Sequence, residues 1–193
     1  RDETVNATRA YSLGILAGGQ GRRWCGRDKG LIAFNGEPLL AGLCTAPAAT
    51  ELLVCCRSNP RFYQHYADRV LCEVAPDLGP CAGITALLYA AATPDITILP
   101  VDLIGAPLKV IETLQTDWQH DDHAIVLTDR SGRHSPCLRL SIDLLDDCAR
   151  FVDSGGVKLK TLLTLLNARP ISVPDEWLTN ANTPEALSTQ GVI

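Results

Sequence analysis

Leu16-Ala17-Gly18-Gly19-Gln20-Gly21-Arg22-Arg23-Trp24-Cys25-Gly26-Arg27-Asp28-Lys29-Gly30 follows an apolar run, Tyr11 to Ala17, that reads as a buried strand. Five glycines stand among three arginines and one lysine. Glycine lets backbone N–H groups approach an anion closely and accepts positive φ, while the cations supply the charge a polyphosphate attracts. A glycine-rich basic loop at the end of a first strand is the phosphate site of an α/β sheet. The alternative is a surface loop of solvated charges. Two common phosphate loops fail on spacing. The P-loop requires Gly-Lys followed directly by Ser or Thr, and here Lys29 precedes Gly30 and Leu31. The dinucleotide fingerprint requires a third glycine opening a helix, where this chain has Arg22-Arg23-Trp24.

Outward from this loop, strand-like and helix-like runs alternate. Strands are expected at Leu13–Ala17, Leu52–Cys56, Val70–Val74, Ile96–Val101, Ala124–Thr128, Ser135–Leu140 and Ile171–Val173. The pair 124–140 is joined by the turn Asp129-Arg130-Ser131-Gly132. Helices are expected at Leu39–Ala49 (ending or kinking near Pro47), Arg61–Ala67, Ala82–Ala92, Pro107–Gln115, Ile142–Val152 and Val157–Leu166, with another starting at Pro184–Leu187. This alternation predicts an α/β protein: a single-domain, Rossmann-like three-layer sandwich with a mostly parallel sheet. Residues 1–10 read as a polar tail and 11–193 as one domain, for which 193 residues give a full core. Ligands of such sheets sit at the carboxyl ends of the strands.

A net charge of −5 argues against general nucleic-acid binding and sets off the basic cluster Arg22, Arg23, Arg27 and Lys29. No apolar run is long enough to span a bilayer, and Arg1–Ala10 lacks the hydrophobic core of a secretory signal. The eight cysteines form no Cys-x-x-Cys or zinc spacing and mostly stand in apolar context, as in Leu52-Leu53-Val54-Cys55-Cys56. They read as reduced, buried small hydrophobes in a cytoplasmic setting. Cys25, among arginines, is the one expected to be reactive.

Asp102 follows the strand Ile96–Val101 directly. A carboxylate there is either a cap for the helix beginning at Pro107 or a ligand for magnesium, which takes one or two carboxylates and leaves its other positions to phosphate and water. Asn180-Ala181-Asn182-Thr183-Pro184-Glu185 reads as a helix start, with Asn182 or Thr183 as N-cap. Asp77 precedes the turn Gly79-Pro80, and Gly83 lets the next helix pack closely. Asp121-Asp122-His123 reads as a solvated loop, and His134 as structural or exposed.

Four blocks in order, Leu16-Ala17-Gly18-Gly19 with Asp28-Lys29-Gly30-Leu31, Gly79-Pro80-Cys81-Ala82-Gly83-Ile84, Pro100-Val101-Asp102, and Asn180-Ala181-Asn182-Thr183-Pro184-Glu185, resemble the molybdenum cofactor guanylyltransferases. The resemblance covers about Leu13–Leu187 and implies a sheet of the nucleotidyltransferase type. It implies GTP and molybdopterin, with or without molybdenum, as substrates, and transient contacts with cofactor-biosynthesis proteins and acceptor molybdoenzymes. It implies Mg2+ on Asp102, charge neutralisation by Lys29 and Arg22, and nucleotide contacts from Leu16, Ala17, Gly18, Gly19, Lys29, Asp77 and Asp102. Asn180, Asn182, His134 and Lys158 fall on its acceptor side. Relatives using CTP tend to carry alanine where Gly18 stands. The family's strand-two Asn corresponds to Cys55, with Asn59 nearby. That substitution, with Trp24, Cys25 and Cys81, is the drift that favours a non-catalytic nucleotide-binding homologue. A different nucleotidyltransferase, using CTP or a sugar phosphate, is the nearer rival.

Overall fold

The computed structural model describes residues 10–18, 28–45, 49–72 and 79–182. Residues 1–9 of the expected tail, Gly19, Arg22, Cys25 and Asp77, and the helix expected from Pro184, lie outside the described residues. The chain runs β1 (Ser12–Ala17), a short hairpin of β2 (Ala33–Phe34) and β3 (Glu37–Pro38), α1 (Leu39–Cys44), β4 (Glu51–Cys56), α2 (Pro60–Tyr63) and β5 (Arg69–Cys72). It continues through α3 (Gly79–Ala90), β6 (Asp95–Pro100), α4 (Pro107–Thr116), β7 (Ala124–Thr128) and β8 (His134–Ser141). It ends in α5 (Leu145–Asp153), α6 (Leu159–Leu165), β9 (Arg169–Ser172) and a 3-10 turn, Asp175–Leu178.

The main sheet has the order β5-β4-β1-β6-β8-β7-β9. β1 pairs in parallel with β4 on one side and β6 on the other, so the strand order reverses at β1. β8 is antiparallel to β6 and β7, and every other pairing in this sheet is parallel. Alternate strand residues feed opposite faces, as the pleat requires. Val54 and Cys56 join a core with α1, α2 and α4. Leu53 and Cys55 join another with α3, α5 and α6. These are the three layers expected from the sequence.

Element ends differ from the sequence expectation for local reasons. α1 stops at Cys44, short of Ala46-Pro47, because proline cannot donate to the preceding turn. α3 begins three residues earlier than expected, with Gly79 at φ +62 and Pro80 in its first turn. The segment expected as one helix from Ile142 opens as a 3-10 turn, Ile142–Leu144, before α5. Cys55, Cys56, Cys81, Cys137 and Cys148 are buried and in no disulfide. Burial pushes Cys137 and Cys148 up to about 12 and Cys81 up to about 11, so these behave as small hydrophobes.

Two ion pairs hold the half of the sheet around β8, and the sequence reading found neither. Arg139 on β8 reaches Asp95 at the start of β6, with Nε–Oδ1 2.9 Å and Nη2–Oδ1 2.6 Å; the side chains are 2% and 1% exposed. The guanidinium also stacks 4.6 Å from the Trp118 ring centroid. Asp122 was expected in a solvated loop. Instead its side chain is 10% exposed and takes both Nε and Nη2 of Arg169 on β9.

Removing the Arg139 cation leaves Asp95 buried without it. Arg139→Met should therefore cost about 3–5 kcal/mol, read by urea unfolding. Arg169's hydrogen bonds hold the Asp122 carboxyl below the usual carboxylate range. Its contribution is fully present above the unfolded value near 4 and is lost as pH falls through the depressed native value. Asp122→Asn should melt about 2–4 °C below the parent at pH 7, for a loss of about 1 kcal/mol. That difference should close as the pH drops below about 4; a gap independent of pH would rule the pair out as its source.

Candidate functional site

The carboxyl ends of β1, β4 and β6 meet where the strand order reverses, the ligand position of open α/β sheets. After β1 stands Gly18, exposed, while Ala17 is buried and the Leu16 carbonyl accepts the Val101 N–H at 3.0 Å. The described chain resumes at Asp28, which N-caps a 3-10 turn, Lys29–Leu31, by accepting from Gly30 N–H. This turn aims Lys29 across the strand ends. Its Nζ donates to Asp102 Oδ2 at 2.6 Å, with the side chains 27% and 10% exposed. Two residues picked out separately in the sequence thus form one contact.

Asp102 does not cap α4. The residue before that helix, Ala106, makes no side-chain cap bond, and the Asp102 carboxylate goes to Lys29. The backbone after Asp102 is laced instead to the chain near 180. Ala181 N–H donates to Asp102 O at 2.7 Å, Ile104 and Gly105 N–H to Thr179 O, and Ala106 N–H to Trp177 O. Gly105 packs against the Glu176 and Trp177 carbonyls, where a Cβ has no room. Leu103 and Asn180 form a β-bridge. Asn180 thereby arrives beside Asp102, and its Oδ1 is buried without a hydrogen-bond partner.

A divalent cation suits this corner. Among the described residues no three His, Cys, Asp or Glu side chains cluster as a metal site. A single carboxylate, Asp102, suits magnesium, which often takes only one or two carboxylates and leaves its other positions to phosphate and water.

Beyond Asn180 opens a cavity of about 480 Å³ that brings together His134, Asn180 and Asn182. Lys158 does not line it; it is exposed at the start of α6, one residue past Val157, whose carbonyl packs on Gly79. The cavity adds Asp129 and Arg133, which the sequence reading did not single out. Asp129 accepts from Ser131 Oγ, from Ser131 and Arg133 N–H, and from Arg133 Nε at 3.0 Å. The Ser131 hydroxyl, then the Arg133 N–H, hold its carboxyl below the usual range. The Arg133 guanidinium is thus fixed at the cavity rim, and the signal for it was the Asp129-to-Arg133 turn itself.

Asp28 and Tyr63 were also missed. Tyr63 on α2 is fully buried and donates its hydroxyl to Asp28 Oδ1. Asn59, noted only as lying near the Cys55 position, turns its amide to Asp28 Oδ2 at 3.1 Å. Cys55 itself is a core residue, as is Cys81. Gly83 brings α3 onto β1, where an added Cβ would stand 2.8 Å from Leu16 Cδ2.

Residues 13–170 match the family model described as MobA-like NTP transferase domain. The molybdenum cofactor guanylyltransferase of Pseudomonas aeruginosa (strain PAO1) is 34% identical over 183 residues, covering 92% of each chain. That of Pseudomonas fluorescens (strain Pf0-1) is 30% identical over 188 residues, covering 94% of each. The crystal structure of molybdopterin-guanine dinucleotide biosynthesis protein A from Archaeoglobus fulgidus superposes with a TM-score of 0.74 at 20% identity, covering 92% of this chain and 95% of that one.

Gly30 is the local test of how the Lys29 turn is built. A Cβ there would press on the Tyr63 hydroxyl and stand 2.9 Å from its Cε1. Gly30→Ala should cost about 1–3 kcal/mol by overpacking. Adding Tyr63→Phe should return part of it in urea titrations; equal losses with and without the hydroxyl would contradict the contact.

Proposed function

The chain belongs to the MobA-like NTP transferase family, and from that membership we propose that it transfers GMP from GTP to molybdopterin, with or without bound molybdenum, and releases pyrophosphate. The observation that carries this reading is the Lys29–Asp102 contact at the reversal of strand order. It sets one cation and one carboxylate where a triphosphate and its metal need them.

The chemistry is an in-line displacement. The terminal phosphate of the acceptor attacks the α-phosphorus, the bond to the β-phosphate oxygen breaks, and pyrophosphate leaves. No covalent step falls to the protein, so positioning and charge neutralisation carry the rate. Backbone groups of Leu16, Ala17, Gly18 and Gly19 meet the base and sugar, Gly18 making room for guanine. Lys29 and Arg22 offset the triphosphate charge. One such contact near 4 Å is worth about 4 kcal/mol at an effective dielectric of 20, before desolvation. Asp77 contributes on the nucleotide side. Asp102 would hold Mg2+, which when bound neutralises phosphate oxygens. The cavity of Arg133, His134, Asn180 and Asn182 receives the acceptor. Lys158, exposed at the start of α6 and outside that cavity's lining, is kept as a further acceptor-side cation.

The substrates are small anions, and a chain of charge −5 has no general affinity for nucleic acid. Among the described residues no helix is long and apolar enough to cross a membrane. Cysteines in no disulfide suit a cytoplasmic setting. Cofactor-biosynthesis proteins and molybdoenzymes are the transient partners that would deliver the acceptor and take the product.

Calorimetric titration of GTP and CTP, each with and without magnesium, tests the reading. GTP should bind, more tightly with magnesium, and CTP much more weakly. Lys29→Ala should weaken GTP about tenfold, which is about 1.4 kcal/mol. Asp102→Asn should slow transfer about 100-fold or more with melting little changed, because Lys29 is exposed enough to be solvated. Preference for CTP would move the assignment to the cytidylyl branch. GTP binding without pyrophosphate release in the presence of acceptor would make the chain a nucleotide-binding homologue.

A further inference from the structure

We infer that Tyr63, Ser58 and Asn59 are positioning residues that, through the Asp28 carboxylate, hold Lys29 in line for the triphosphate; the inference rests on the nucleotide reading above.

The Asp28 carboxylate is a junction of four donors. Oδ1 accepts the Tyr63 hydroxyl and the Gly30 N–H at 3.1 Å. Oδ2 accepts Ser58 Oγ and Asn59 Nδ2, both at 3.1 Å. A carboxylate offers about four lone-pair positions, so this one is filled. Its lone pairs are therefore taken by neutral donors, three from the 58–63 segment and one from Gly30. The ammonium of Lys29, the next residue, is left for Asp102 and for an incoming phosphate. Without the junction, Asp28 would be the nearest competitor in sequence for that ammonium.

The bonds also fix a direction. The basic stretch leaves β1 at Gly18 and comes back to described chain at Asp28, where it is tied to the corner between β4 and α2. Asn59 sits at φ +55, a left-handed conformation that asparagine tolerates better than most residues, and this turns its amide to Asp28. Burial, with Asp28's hydrogen bond and charge pushing the same way, raises the Tyr63 hydroxyl above its ordinary value, so it remains a donor at any working pH. Gly30 fits under Tyr63 because it has no side chain.

A purely structural account would have these bonds dock α2 on the sheet. The rings do that already. Tyr63, Phe62 and Tyr66 pack into the core with Val54 and Cys56, and none of that contact needs the Tyr63 hydroxyl. The hydroxyl and the Asn59 amide are free to serve the loop.

The variants are Tyr63→Phe, which removes only the hydroxyl, and Asn59→Gly, which removes the amide while keeping the left-handed backbone accessible. The first readout needs no nucleotide. The acetylation rate of Lys29 by an N-hydroxysuccinimide ester, followed by mass spectrometry, should change at least about threefold in each variant, as the ammonium leaves its fixed place on Asp102. Lys109, Lys158 and Lys160, the chain's other lysines, serve as internal controls and should not change. An unchanged Lys29 rate in both variants overturns the proposal. The second readout is a double-mutant cycle on magnesium–GTP affinity. Tyr63→Phe alone should weaken binding several-fold, and Tyr63→Phe with Lys29→Ala should bind no more weakly than Lys29→Ala alone. Additive losses would mean that Tyr63 acts by another route and would overturn the proposal while leaving the functional reading intact. Failure of the parent protein to bind GTP would overturn the functional reading itself, and the triphosphate as the target of Lys29 with it.

Discussion

The crossing of residues 102–106 against 177–181 is the constraint on which the site depends. Four backbone hydrogen bonds join the two segments, and Gly105 lets them approach to where any Cβ would collide with the Glu176 and Trp177 carbonyls. Asp102 leaves the end of β6 early in the second half of the chain, whereas Asn180 arrives only after α5, α6 and β9. Without the crossing these two segments have no reason to meet. With it, Asn180, which lines the cavity of about 480 Å³, runs beside the segment that carries Asp102. Lys109 of α4, over the Trp177 ring at 5.2 Å, clamps the same crossing from outside.

Much of this was legible in the sequence. Unbroken apolar runs located the parallel strands, and the glycine-rich basic stretch after the first of them located the ligand edge. Lys29 and Asp102 could each be picked out because charged residues at strand ends stand out against apolar neighbours. Their pairing followed only from the sheet order, which puts β1 beside β6 although the two residues are 73 positions apart. The helix ends of α1 and α3 were less legible. Gly79, at φ +62, sets the start of α3 through local geometry that a propensity reading blurs.

Hydrogen-bonded carboxylates were the least legible feature. Asp28, Asp95, Asp122 and Asp129 look alike in sequence, each a polar residue at the edge of an apolar run. What separates them is a partner supplied from 35, 44, 47 or 4 residues away. Asp129 alone has its cation close in sequence, so it was the one that could have been read. Asp122 was assigned to solvent because its neighbours are polar, yet Arg169 on β9 encloses it. A carboxylate near a strand end is thus better judged by which strand lies beside it than by its own flanks.

Exposure separates the Arg139–Asp95 pair from the Lys29–Asp102 pair. Arg139 and Asp95 are 2% and 1% exposed, and the planar guanidinium is further engaged with the Leu114 and Gln115 carbonyls and the Trp118 ring. Parting them exposes each to an uncompensated interior at several kcal/mol, so they cannot exchange partners within a catalytic cycle. Lys29 differs in kind. Its ammonium is a single point charge on a flexible stem and is 27% exposed, so water reaches it although Asp102 is buried. On the proposed reading, a triphosphate carrying several charges competes with that one carboxylate for the ammonium. The contact with Asp102 therefore orients Lys29 toward the strand ends without trapping it there.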